Sequence, residues 1–128
     1  MGNGTSLGRV RGLGSAHEGA HHWLVQRFTA VGNIVLVIWL VGSFVLLPDL
    51  SHATLSGYLG APVTATAMAL LIVSTFWHAR LGLQVLIEDY VHTAGNKFAV
   101  LTLLNLATIG GGAFGLFCVA RLALGGAA

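Results

Sequence analysis

Hydrophobic and polar positions in this chain do not alternate; they come in long blocks. Arg27 and Asp49 bracket an uncharged stretch from Phe28 to Pro48, Asp49 and Arg80 bracket Leu50 to Ala79, and Lys97 and Arg121 bracket Phe98 to Ala120. The blocks are continuously apolar, without the period of two that marks strands, which favours helices. A bilayer core takes about 20 helical residues to cross. In lipid the backbone must also satisfy its own hydrogen bonds. The pattern therefore predicts an all-α integral membrane protein with three transmembrane helices, at about 28–47, 58–87 and 98–120. Pro48 and Asp49 stop the first helix, and the apolar run Leu81 to Ile87 carries the second towards Glu88.

Residues 1–15 contain five glycines and no apolar periodicity, so a loose tail is expected there. The segment 16–27 is polar and contains Trp23, a residue favoured at the membrane interface. It should lie flat on the inner surface or lead into the first helix, and 28–120 should form the three-helix anchor domain. The first helix is read as retained, because the apolar run is too long for a signal peptide and no small-residue cleavage site closes it. Arg9, Arg11 and Arg27 precede the first helix and Lys97 lies in the second loop, whereas the first loop carries only Asp49. By the positive-inside rule the amino terminus is cytoplasmic and the carboxyl terminus periplasmic. Arg121 votes the other way.

Composition narrows the function classes. In its 128 residues the chain has 55% hydrophobic and only 8% charged residues, against roughly 25% charged in a soluble domain. A net charge of +2 is too thin for a nucleic-acid groove, which needs clustered basic residues. The single cysteine, Cys118, excludes an internal disulfide framework and a cysteine-based zinc site. Gly111 and Gly115 form a small-xxx-small pair on the third helix. They are expected to pack closely against a partner protein, with Cys118 farther along as a small apolar side chain.

Polar groups within the spans are where function is sought. Of the six histidines, His17, His21, His22, His52 and His92 fall at interfaces or in loops. His78 lies about ten residues, or 15 Å, from the expected end of the second helix. An unpartnered polar group at that depth costs several kcal/mol, so His78 needs a neighbouring helix, a water cavity or a metal. Positions three and four away share its face, and Ser74 and Gly82 leave that face nearly free of bulk. A flat macrocycle needs such a clearing, and so does close helix packing. A low-spin b-type haem iron on His78 would want a second histidine at matching depth. The other two spans hold none, so that ligand would have to come from another polypeptide. Farther along, Glu88-Asp89-Tyr90 places two carboxylates beside a phenol at the inner surface. The group suits proton-coupled chemistry on a carbonyl-bearing ligand, or an ordinary helix end in the aromatic belt.

His78-Ala79-Arg80-Leu81-Gly82 followed by Glu88-Asp89-Tyr90-Val91-His92 resembles the second-helix motif of the succinate dehydrogenase hydrophobic membrane anchor, the D subunit of respiratory complex II. Trp23 with Gln26-Arg27-Phe28-Thr29-Ala30 resembles the segment that leads into that family's first helix. The resemblance covers roughly residues 16–120. It implies a hetero-subunit helix bundle made with the cytochrome b556 C subunit, which holds the flavoprotein and iron–sulfur subunits on the membrane; a bacterial inner membrane is expected because the short glycine-rich leader makes a poor cleaved presequence. It implies His78 as an axial ligand of the iron of a shared haem b, and Tyr90 as hydrogen-bond donor to ubiquinone. Asp89 would be the neighbouring carboxylate, and Arg27 would lie near the haem propionates and quinone pocket. No catalytic residue is expected on this chain alone. A fumarate-reductase-type anchor and a redox-inert assembly or scaffold protein remain as rival readings. A small transporter would want a charged residue or broken helix at the midplane, and no span offers one.

Overall fold

A computed structural model describes residues 19–125, so the expected tail at 1–15 and His17 lie outside the described residues. The chain forms α1 (Gly19–Leu46), α2 (His52–Gly60), α3 (Pro62–Tyr90) and α4 (Ala94–Ala123). Among the described residues there is no strand. α1, α3 and α4 are each long and apolar enough to cross a membrane, and the protein is a multi-pass membrane helical bundle. At 28, 29 and 30 residues they run about 42–45 Å, the thickness of a bilayer with its headgroups.

The helix limits differ from the sequence expectation in three places. α1 begins at Gly19 and not near Phe28, so residues 19–27 are its first turns, the second of the two arrangements expected for that segment. One consequence is that His21 and His22 sit on the first helix, which was expected to hold no histidine. The connection after Pro48 is not a plain loop, since it contains α2. Ser51 caps α2 by accepting the Thr54 N–H at 3.4 Å, and such caps stabilise short helices by about 1 kcal/mol. Hydrogen bonds from the Ser51 and Thr54 side chains and the Ser51 N–H hold the Asp49 carboxyl below its ordinary range. Finally, α3 starts at Pro62, after Ala61 alone has turned the chain in extended conformation. Proline pre-sets the backbone for a first helical turn while disfavouring helix in the residue before it.

α3 occupies the middle. It packs against α1 on one side and α4 on the other, and those two do not pack on each other. α2 covers one end of α3 and α4, and Tyr58 reaches Trp39 and Phe44 of α1 with ring centroids 6.4 and 6.3 Å away. Among the described residues only Thr64, Ala65, Leu81 and Ile87 are buried, all on α3. Broad apolar faces of α1 and α4 are left for lipid or for other subunits.

The glycine pair on α4 has a different neighbour from the one expected. A Cβ on Gly111 would come within 2.6 Å of Phe76 Cε1, and one on Gly115 within 3.2 Å of Ile72 Cγ2. Both glycines face α3 of the same chain, so the pair closes the internal α3–α4 seam and not a subunit interface. Gly111→Leu is thus expected to destabilise the anchor's own bundle, by about 1–3 kcal/mol if Phe76 can shift and more if it cannot. The check is thermal unfolding of the purified chain in detergent, where an unchanged midpoint would contradict this seam. At the α2 end a Cβ on Gly60 would lie 2.9 Å from the Leu122 carbonyl oxygen. Backbone leaves no room there for any other residue.

Candidate functional site

The α1–α3 seam is joined by polar side chains. Ser74 Oγ donates to the Thr29 carbonyl at 3.3 Å, and Thr75 Oγ1 donates to Asn33 Oδ1 at 3.5 Å. Between them and the Tyr90 end lies His78, half-buried, with its ring turned onto α1. Its Nδ1 is 3.0 Å from Thr29 Oγ1, and its Nε2 is 3.5 Å from the Gln26 side-chain nitrogen. Gln26, Thr29 and Asn33 recur at spacings of three and four, one face of a helix, and so present a polar stripe to α3. The space expected to be clear beside His78 is left open by α3 itself, since Ser74 bonds backward to α1 and no side chain of α3 lies over Gly82, but it is not empty. The Gln26 amide lies there instead, 3.4 Å from where a Cβ on Gly82 would stand. Its carbonyl oxygen Oε1 is buried without a hydrogen-bond partner. Such a group costs about 1–3 kcal/mol.

Two guanidinium groups share this level of the bundle. Arg27, next to Gln26, stacks over Trp23 at 5.4 Å from the ring centroid. Arg80, two residues beyond His78, turns towards α4, where Nε donates to Asn105 Oδ1 at 2.6 Å and the group lies 5.7 Å from the Trp77 ring centroid. A groove of about 600 Å³ opens there, lined by Phe76, Trp77, Arg80, Asn105 and Thr108 among others. Its walls are almost wholly apolar, and the Arg80 guanidinium is the charged group among its lining residues. The His78 ring faces the other way, onto α1.

Tyr90 is the last residue of α3 and is 77% exposed. It stands twelve residues from His78, about 18 Å along the axis, so the two belong to separate centres. The two neighbouring carboxylates are not equivalent. Glu88 Oε1 accepts from Gln84 at 2.8 Å and the Glu88 carbonyl accepts from Lys97 Nζ at 3.0 Å, whereas Asp89 makes no hydrogen bond among the described residues. Asp89 and Tyr90 are not bonded to each other, as expected for consecutive positions on a helix. His92 closes the end of α3 by donating from Nδ1 to the Tyr90 carbonyl at 3.2 Å.

The comparisons with known proteins bear on this arrangement. Residues 1–112 match the family described as the succinate dehydrogenase/fumarate reductase transmembrane subunit. The succinate dehydrogenase hydrophobic membrane anchor subunit of Paracoccus denitrificans is 31% identical over 118 residues, covering 91% of this chain and 89% of that protein. The chain belongs to the family of succinate dehydrogenase hydrophobic membrane anchor subunits. Another anchor, from Rickettsia bellii, is 34% identical over 84 residues, 65% of this chain and 66% of that protein. Gln26 and Thr29 were legible in the anchor's sequence only as part of the lead-in to its first helix. The signal that could have singled them out is their recurrence with Asn33 on one face of an otherwise apolar span.

Proposed function

We propose that this anchor holds one side of a b-type haem through His78 and forms part of a ubiquinone-reducing site with Tyr90 and Asp89, in a succinate:quinone oxidoreductase of a bacterial cytoplasmic membrane. The observation that carries the haem reading is the His78 ring. Among the described residues its ring spans the α1–α3 seam, with Nδ1 engaged by Thr29 and Nε2 facing the Gln26 amide, whose oxygen is unsatisfied. Displacing that amide would free Nε2 and the space over Gly82, and would let Gln26 Oε1 find a donor. Arg27 brings positive charge to the same level, and no carboxylate lies there among the described residues, which suits the acidic propionates of the group. Bound there, the haem would supply one-electron redox capacity between two anchor subunits. Neither α1 nor α4 carries a histidine at the level of Thr29 and Asn105, and His21 and His22 lie a turn or more away. The second ligand therefore falls to the cytochrome b556 C subunit.

At the other centre the Tyr90 hydroxyl donates a hydrogen bond to a quinone carbonyl, and Asp89 is the carboxylate free to hold or pass a proton. Tyr90 is too exposed to enclose a ligand by itself, so the remaining walls come from the iron–sulfur and C subunits, with the flavoprotein beyond them. With the amino terminus cytoplasmic, Tyr90, Asp89 and the soluble subunits share one side of the bilayer. The relatives' names favour succinate oxidation over the fumarate-reductase direction. The test is to purify the complex through a tag on this chain and record the dithionite-reduced spectrum and succinate–quinone activity. Co-purifying flavin, b-type haem and activity are expected. A complex without haem would leave the scaffold reading.

A further inference from the structure

A hydroxyl carries one hydrogen, and that of Thr29 has acceptors on its own helix: the Val25 carbonyl at 2.8 Å and the Gln26 carbonyl at 3.1 Å. Given to the nearer carbonyl, the hydrogen leaves Thr29 Oγ1 only lone pairs to offer the ring 3.0 Å away. His78 Nδ1 must then be the protonated nitrogen, donating to Thr29, and Nε2 the one with a free lone pair. The Gln26 amide is consistent with this, since its nitrogen is a donor and lies over Nε2. A histidine ligand is oriented, and its basicity raised, by the acceptor that holds its other N–H.

We propose that Thr29 is the positioning residue for His78, fixing the imidazole in the tautomer whose Nε2 is open to iron and strengthening it as a ligand through the Nδ1–H···Oγ1 bond. The proposal rests on the reading of His78 as a haem ligand and adds what makes it one. Thr29 itself touches neither haem nor quinone. The backbone of the same residue also accepts from Ser74, so this one turn of α1 fixes both the seam and the ring.

The experiment uses the complex purified through this chain, with Thr29→Val and Thr29→Ser beside His78→Ala. Valine keeps the branched shape and removes the acceptor, and serine restores it. Loss of such an outer partner costs roughly 10–100-fold in affinity for the bound metal group. Thr29→Val should accordingly transfer haem to excess apomyoglobin at least about tenfold faster. The haem midpoint potential should move upward, because the ligand has lost the bond that makes it electron-rich. Thr29→Ser should return both values towards wild type. Unchanged transfer rate and potential in Thr29→Val, with haem absent from His78→Ala, would overturn the role of Thr29 and leave His78 as ligand. Failure of serine to restore either value would overturn it too. A wild-type haem spectrum in His78→Ala would instead remove the ligand reading and this proposal with it. If Thr29→Val does not assemble, Thr29→Ala, which removes the acceptor without adding bulk, is read in the same way.

Discussion

Tyr90→Phe in the assembled complex is expected to slow quinone reduction about tenfold or more, which corresponds to roughly 1.4 kcal/mol of transition-state stabilisation. The substitution keeps the ring and deletes only the hydroxyl. A hydrogen bond to a carbonyl that gains charge during reduction strengthens on the way to the transition state, so its loss falls on the rate more than on binding. Tyr90 makes no side-chain hydrogen bond among the described residues, and its ring is largely exposed at the end of α3. Removing the hydroxyl therefore breaks nothing within the bundle. Succinate oxidation with an artificial acceptor that takes electrons upstream should stay at the wild-type rate, and so should haem content. If both activities fall together, Tyr90 serves assembly and its place in the quinone site is wrong. If neither changes, it is an interfacial aromatic and nothing more.

His78→Ala is the second large effect, with loss of the bis-histidine haem spectrum and an unchanged membrane topology. The spans depend on apolar length, to which one imidazole adds nothing. The α1–α3 seam also keeps its other ties, because Ser74 still reaches the Thr29 carbonyl and Thr75 still reaches Asn33. Difference spectra together with cysteine-accessibility mapping of the loops check the two halves of this expectation separately. An intact spectrum would take His78 off the ligand list.

What could be read from the sequence, and what could not, follows from the kind of information each feature carries. The three spans were legible because hydrophobic length is local and the ten charged side chains bracket it. The face around His78 was legible because helical periodicity alone places Ser74 and Gly82 beside it. α2 was missed because its nine residues carry no strong apolar face, and its cap at Ser51 reads equally well as a turn. The partner of Gly111 was missed because a small-residue pair states that something approaches closely, and not what. Thr29 and Gln26 escaped notice for the same reason. Their meaning depends on the antiparallel register of α1 against α3, a tertiary fact that no single segment encodes. Arg80 and Asn105, twenty-five residues apart, are a second instance.

The level shared by Arg27, His78, Arg80 and Asn105 also fixes how deep the anchor sits. Apolar residues continue on α3 and α4 to either side of it, so hydrophobic length alone would let the bundle slide along the membrane normal. The two arginines prevent that. Lowering the bundle by one turn, about 5.4 Å, would draw both guanidinium groups towards the bilayer centre, where each costs about 2.5–3.5 kcal/mol on insertion scales. Raising it would instead lift the apolar turns of α3 between Arg80 and Glu88, with the exposed Leu83 and Leu86, into the headgroups and water. The ring of polar side chains thus acts as a draught mark on a hull. It ties the Tyr90 end to the near headgroup boundary, so that end keeps its distance from the membrane surface.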